Sequence, residues 1–397
     1  CDGRAFDRLW VDLPPLAAGR YRLVDPAGGE TCRLTIPPAR CWSPTTPRGF
    51  GISAQLYTLR SASDQGIGDF GTLADAARAA GAAGAATFGI NPLHALFPFD
   101  RSRASPYHPS DRRFIDPIYI DVTDLADLPS SPLADALLAA AMPQFEALRG
   151  ARTLDYERVS ALKTAILNAR FEAFRTAFYG GGGGVRREFL DFVERGGAAL
   201  DRFAAFRVAE ARFAGAPWQD WPDGLDKAGS RASRSFAEAN PQAIACEMFL
   251  QWLADRQLAK AAAAGRAAGL DEGLYRDLAV GCAPDGAEAW SEGARYAHGV
   301  SVGAPPDPFS ADGQVWNLPP PNPLAMAEGG YAAWRGLISA NMRHAGLLRI
   351  DHVMGLSRLF WVPDGAKATE GAYIGYPRDA LLAELKLESQ RHRCAVV

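Results

Sequence analysis

The hydrophobic pattern along the chain changes character three times. Up to about residue 45 it alternates at period two. Arg20-Tyr21-Arg22-Leu23-Val24 and the stretch 31–36 read as two strands, with Pro26-Ala27-Gly28-Gly29 as the turn between them. Pro37, Pro38, Pro44 and Pro47 then mark a linker. From Gly51 the pattern becomes strand, helix, strand. Gly51-Ile52-Ser53-Ala54-Gln55-Leu56-Tyr57 is a short strand, residues 71–83 are a helix with Asp69 near its start, and residues 85–90 are an apolar strand. Such a βα unit builds a parallel sheet.

From about 124 to 270 the period is helical, with predicted helices over 154–176, 189–213 and 240–265. The run Gly180 to Gly184 separates the first two and reads as a connector, because it lacks a trailing Gly-Lys-Ser/Thr and follows no strand. Strand character returns over 273–281. Residues 331–345 form a helix that leads into Gly346-Leu347-Leu348-Arg349-Ile350-Asp351-His352. Leu347, Leu348 and Ile350 make a buried strand that ends on charge. An apolar run at 359–363, a helix over 378–390 and a nascent strand at 393–397 follow.

The expected fold is therefore α/β, a (β/α)8 TIM-like barrel with helical insertions. Four strands and the beginning of a fifth are present, preceded by a β-hairpin from the end of a β-sandwich. The domain boundaries expected are 1–45 for the end of that β domain and 46–397 for the first part of the barrel, with the helical insertion at about 124–270. Half a barrel exposes sheet edges, so the sequence reads as a piece of a longer protein.

Composition changes this picture little. The chain has 397 residues and a formal net charge of −3, without a basic arm. Nucleic acid and anionic membrane are poor partners for such a surface. No apolar run reaches the length of a membrane span, and no signal pattern opens the chain, which points to the cytoplasm. The six cysteines contain no Cys-x-x-Cys, which argues against zinc and redox motifs. Free buried thiols are expected, although Cys32 and Cys41 could pair across the hairpin. Gly66-Ile67-Gly68 precedes a helix but lacks the rest of a dinucleotide fingerprint.

The chemistry concentrates at strand ends. Arg349 and Asp351 share one face of their strand, and the Arg would hold the Asp ionised and nucleophilic. A structural ion pair capping the strand is the plainer alternative. Ser105-Pro106-Tyr107, Pro305-Pro306-Asp307 and Gln314-Val315-Trp316 lie in loops. Aromatic faces with amide and carboxylate groups suit a sugar. Packing of Tyr107 and Trp316 within their loops is the alternative.

Taken in order, Gly51 to Arg60 with Gly66-Ile67-Gly68-Asp69-Phe70, Ser105-Pro106-Tyr107, Pro305-Pro306-Asp307, Gly313-Gln314-Val315-Trp316 and Arg349-Ile350-Asp351-His352 resemble the motifs of the amylomaltase family, the 4-α-glucanotransferases. Asn91-Pro92-Leu93-His94-Ala95-Leu96 is similar to the longer bacterial form, which has N-terminal β domains. The resemblance implies transfer of α-1,4-glucan segments between maltooligosaccharides with retention. It implies Asp351 as nucleophile, Arg349 as its support, and Ser105, Tyr107, Asp307, Gln314, Trp316 and His352 along the glucan groove. It implies no organic cofactor and no obligatory metal. An α-amylase-like hydrolase shares the Arg-x-Asp strand end, and a non-catalytic glucan-binding protein is a further alternative.

One departure from the family pattern is visible: Asn317 follows the Trp where the family usually has Gly. Asn tolerates positive φ, so the loop is expected to survive with altered acceptor-side contacts. Retention also needs a second carboxyl group about 5 to 5.5 Å away. The resemblance puts that acid/base Glu on the next strand, beyond Val397, and a third carboxylate later still. This chain alone is therefore expected to be inactive.

Overall fold

The computed structural model describes all residues except 1–11, 25–31, 45–47 and 180–183. The hairpin consists of β1 (Gly19–Leu23) and β2 (Cys32–Ile36), paired antiparallel with Tyr21 opposite Leu34. Its expected turn at 26–29 lies outside the described residues. The hairpin packs on the last helix, α10 (Arg378–His392). Arg20 donates to Glu384 and to Glu388, each at 2.7 Å. Thr35 donates to Glu384, and the Trp42 N–H donates to Ser389 Oγ. Glu388 is fully buried. Burial raises its pKa, but His392, Arg20 and Arg391 outweigh that and bring the carboxyl down to about 2.

The chain then enters a parallel sheet. β3 (Gly51–Ala54) is followed by α1 (Phe70–Ala82), where Asp69 caps the helix by accepting from the Thr72 N–H at 2.9 Å. β4 (Thr87–Ile90) pairs parallel with β3. A small antiparallel pair, β5 (His94–Ala95) and β6 (Asp111–Ile115), occupies the following segment.

The insertion contains α2 (Pro132–Arg149), α3 (Tyr156–Tyr179), α4 (Gly184–Arg212), α5 (Arg231–Ala239) and α6 (Pro241–Ala267). The expected helix at 189–213 starts earlier and is kinked at Gly197, whose φ of 48° leaves the helical region. α2 was hidden in the sequence by alanine-rich composition and an internal Pro143. Its first turn is defined by Ser131, which caps it, and Pro132 at its start. α6 is the spine of the core. Phe249, Trp252, Leu253 and Leu258 are almost fully buried, and Phe174 and Phe189 pack around Trp252. α6 lies directly on α1. A Cβ on Gly81 would meet the Ala268 carbonyl at 2.7 Å, so glycine sets that close approach.

β7 (Gly273–Leu278) returns to the parallel sheet beside β4. The following segment holds more structure than a loop: α7 (Ala287–Ser291), β8 (Val300–Ala304) and β9 (Gln314–Val315). After α8 (Pro323–Glu328) and α9 (Ala332–Met342), β10 (Leu347–Ile350) joins β7. The apolar run near 360 becomes β11 (Arg358–Pro363), which pairs antiparallel with β8 and with β12 (Ala372–Gly375), outside the parallel sheet. β13 (Ala395–Val396) pairs parallel with β10. The parallel sheet has the order β13-β10-β7-β4-β3. One face, carrying Phe88, Leu274 and Leu348, is buried beneath α1, α6 and α9.

The five cysteines among the described residues are free. Cys282 and Cys394 are buried as expected, but Cys32 is exposed, because it stands at the outer end of the hairpin.

Candidate active site

The register of the parallel strands builds the site. Leu347, Tyr275, Gly89 and Ser53 stand side by side across the sheet. Side chains alternate, so the next residues on that face are Arg349, Asp277, Asn91 and Gln55. The second row is polar and lies at the C-terminal ends of the strands. Ser53, Gln55, Asn91, Tyr275, Asp277, Arg349 and Tyr107 line a cavity of about 500 Å³. Gly89 keeps the floor of this face open: a Cβ there would crowd Ser53 at 3.0 Å and the Tyr275 ring at 3.3 Å.

Arg349 joins two carboxylates. One of its terminal nitrogens donates to both oxygens of Asp277 at 2.8 Å, and the other donates to Asp351 Oδ1 at 2.6 Å. Burial lowers the Arg349 pKa, yet Asp277 and Asp351 outweigh it and leave the guanidinium more firmly charged. The Tyr107 hydroxyl donates to Asp277 Oδ2 at 2.9 Å. Burial, and then Asp277, push the Tyr107 hydroxyl up to about 12, so it remains a proton donor at neutral pH. Burial raises the Asp277 carboxyl, against the bonds from Arg349 and Tyr107.

The chain turns sharply just after Asp351. His352 has φ 51° and opens a 3₁₀ turn over Val353–Leu356. Its ring meets Trp316 edge-on at 5.0 Å between centroids. Burial lowers the His352 pKa, and its Nε2 is buried without a partner. Trp316 is held in turn by Gln314, whose Oε1 accepts from the indole N–H at 2.8 Å.

The expected residues thus fall into two groups and two outliers. Asp351, Arg349 and Tyr107 meet through Asp277, and Trp316, Gln314 and His352 form a neighbouring wall. Asp307 stays in its own loop, where its carboxylate accepts from the Phe309 and Ser310 N–H groups. Ser105 uses its carbonyl to accept from the His108 N–H at 3.2 Å. Asn317 does adopt positive φ, at 54°, as its place in the Trp loop demands. Its carbonyl lies 3.1 Å from His108 Nε2, which ties the Trp316 loop to the Tyr107 loop.

Asp277 was missed by the sequence reading. The available signal was Arg276-Asp277, two charges inside a strand otherwise read for its apolar residues. Arg276 points the other way, donating to the Ala340 and Arg343 carbonyls at the end of α9. A buried network supports the site. Arg112 donates to both oxygens of Glu288 and to the carbonyls of Ala279 and Val280, just past Asp277. His94 Nε2 accepts from the Ala279 N–H at 3.2 Å. Burial, with Arg276 and Arg112 nearby, brings His94 down to about 3, so it stays neutral. Among the described residues no group of three His, Cys, Asp or Glu side chains is placed to hold a metal ion. Among them also, no helix is long and apolar enough to cross a membrane.

A guanidinium between two carboxylates, beside an aromatic wall, stands at the C-terminal ends of adjacent parallel strands, the end at which α/β folds carry their sites. Residues 54–397 match the glycoside hydrolase 77 family, described as 4-alpha-glucanotransferase, and the chain belongs to that family. It is 34% identical to the 4-alpha-glucanotransferase of Haemophilus influenzae across 98% of this chain and 58% of that protein. It is 39% identical to the 4-alpha-glucanotransferase of Mycobacterium tuberculosis across 88% of this chain and 48% of that protein. The chain therefore spans about half the length of these curated relatives. Its fold matches the crystal structure of amylomaltase from Corynebacterium glutamicum with a TM-score of 0.79 at 34% identity, covering 96% of this chain and 52% of that one. Amylomaltase from Streptococcus agalactiae, solved with acarbose, shares the fold at a TM-score of 0.72 and 20% identity, over 88% of this chain and 68% of that one.

Proposed function

We propose that the protein of which this sequence forms the site transfers α-1,4-glucan segments between maltooligosaccharides with retention, in the cytoplasm. The five parallel strands are then the first part of a (β/α)8 TIM-like barrel, with 124–270 inserted and the hairpin contributed by a neighbouring β domain. The observation that carries the reading is the second polar row, where Arg349 holds Asp351 at a strand end beside the Trp316 and His352 wall.

In this mechanism Asp351 attacks the anomeric carbon and forms a covalent glucosyl intermediate. Arg349 fixes the orientation of the attacking carboxylate and leaves its Oδ2 free of this bond. Asp277 is poorly suited as the proton donor, because both of its oxygens accept from Arg349 and one also accepts from Tyr107. Its role is to position Arg349 and Tyr107. The leaving oxygen needs a separate acid, which is the reason this chain alone is proposed to be inactive. Transfer outruns hydrolysis where an acceptor sugar is held and water is kept out, and the tied Tyr107 and Trp316 loops serve that purpose.

Asp351→Asn in the full-length protein is expected to lower glucose release from maltotriose by at least ~10⁴-fold. The unsubstituted protein should give a ladder of longer oligosaccharides. A product set of shorter sugars only would favour a hydrolase, and an undiminished Asn variant would exclude Asp351 as nucleophile. Glucose release by this chain alone at the full-length rate would overturn the proposed inactivity.

A further inference from the structure

Two cavities meet on the outer side of the Trp316 loop. One, of about 220 Å³, is bounded by Asn317 and Pro319 on one wall and by Trp218, Gln219 and His298 on another. The second, of about 500 Å³, is bounded by Trp218, His298, Arg202 and Lys227. Trp218 and His298 line both, so the two lie side by side as one depression divided by these side chains. It runs from Asn317, the residue after Trp316, to Arg202 and Lys227 of the helical insertion. Its size lies in the range of small-molecule sites.

The wall chemistry narrows the occupant. Trp218 is half-buried and fixed, because its indole N–H donates to the Pro284 carbonyl at 3.1 Å. Gln219 donates to the same carbonyl at 3.1 Å. A rigid, partly exposed indole offers a flat apolar face without losing side-chain freedom. Around it stand polar groups in surplus. Exposed His298 makes no hydrogen bond among the described residues, and Lys227 meets no carboxylate among them. Arg202 keeps a buried Nε without a partner. Positive and negative side chains balance across the two linings, with Arg202, Lys227 and Arg295 against Asp226, Glu292 and Asp364. An anion would find little net field here. A neutral polyhydroxyl chain finds a stacking face and unshared hydrogen-bonding groups.

We propose that this depression binds further sugar units of the same glucan, so that the helical insertion lengthens the substrate groove beyond Trp316. The proposal rests on the glucan reading given above. It makes the insertion a determinant of substrate length, with Trp218 as the stacking residue and His298 as a hydrogen-bonding residue.

The test compares the affinity of the full-length protein for maltotriose and for a long amylose, by titration calorimetry. In Trp218→Ala, the ratio of long-chain to short-chain affinity is expected to fall about tenfold, the loss of one aromatic stacking contact. Because that variant also removes packing, Trp218→Phe and His298→Ala are measured beside it. His298 is exposed and unbonded, so its removal leaves folding intact, and a several-fold fall in the same ratio is expected. An unchanged ratio in His298→Ala and Trp218→Phe together overturns the inference and leaves the glucan reading standing. Failure of the unsubstituted protein to bind either sugar overturns both. Displacement of the long amylose by inorganic phosphate would assign the depression to an anion and also overturn the inference.

Discussion

Two arginine–carboxylate networks lie close together in this molecule and have opposite characters. In the first, Arg112 and Glu288 have side chains only 6% and 5% exposed, and every guanidinium nitrogen of Arg112 is used. Burial pushes the Glu288 carboxyl up, but Arg112 and Arg113 outweigh it and leave it at about 2. In the second, Arg349 and Asp351 are 41% and 27% exposed, and Arg349 and Asp277 line the cavity at the strand ends. The first network joins β6 to α7 and the segment after β7, and it has nothing left to offer a ligand. The second leaves carboxylate lone pairs facing open space. The two networks share a chemical composition and differ in unspent bonding capacity.

Substitution of the two arginines should separate these roles most clearly. Arg112→Met leaves Glu288 charged and buried, and is expected to cost ~3–5 kcal/mol of stability, read as a lower urea midpoint. Arg349→Met leaves Asp351 to water but Asp277, whose side chain is 10% exposed, with Tyr107 alone, and should cost a smaller ~1–3 kcal/mol, while slowing transfer by at least ~10²-fold. Equal losses of stability in the two variants would dissolve the distinction. A smaller effect is expected at the hairpin, where Glu388 has a third kind of network, buried on one side and exposed on the other. Its folded pKa is depressed to about 2. The stabilisation is therefore complete above the unfolded value, about 4.3, and is lost as pH falls from there toward 2. Glu388→Gln should flatten the acid limb of a stability-against-pH curve over that window, and a curve that keeps its slope would show that other carboxylates set it. The smallest effect concerns Asn317. Asn317→Gly should change stability by less than ~0.5 kcal/mol, whereas Asn317→Val, forced to positive φ, should cost ~1–3 kcal/mol. Identical midpoints for the two would mean that the backbone turn at 317 carries no strain.

The same contrast explains what could be read from the residues. Arg349 and Asp351 stood out because charge ended an apolar run, and Asn317 because one residue type broke a motif. The parallel strands were legible for similar reasons, since each is a short apolar segment next to a helix. Asp277 was hidden because its meaning depends on Arg349, 72 positions away. No local pattern reports that register. The sheet of β8, β9, β11 and β12 was not legible, although the apolar run of β11 was, because its antiparallel partners come from segments far apart in the chain. Asp307 is the local case. An Asp in a motif can serve its own turn, and here its oxygen bonds the backbone two and three residues on.

Arg349 has a consequence for how this site can change over evolutionary time. One guanidinium serves carboxylates on two strands, so positions 277, 349 and 351 form a single hereditary unit. A substitution at 277 is felt at 351 without any contact between them, because it frees the shared arginine to move. Losses at these positions should not add, and a lineage that altered one would be under pressure to alter the others with it.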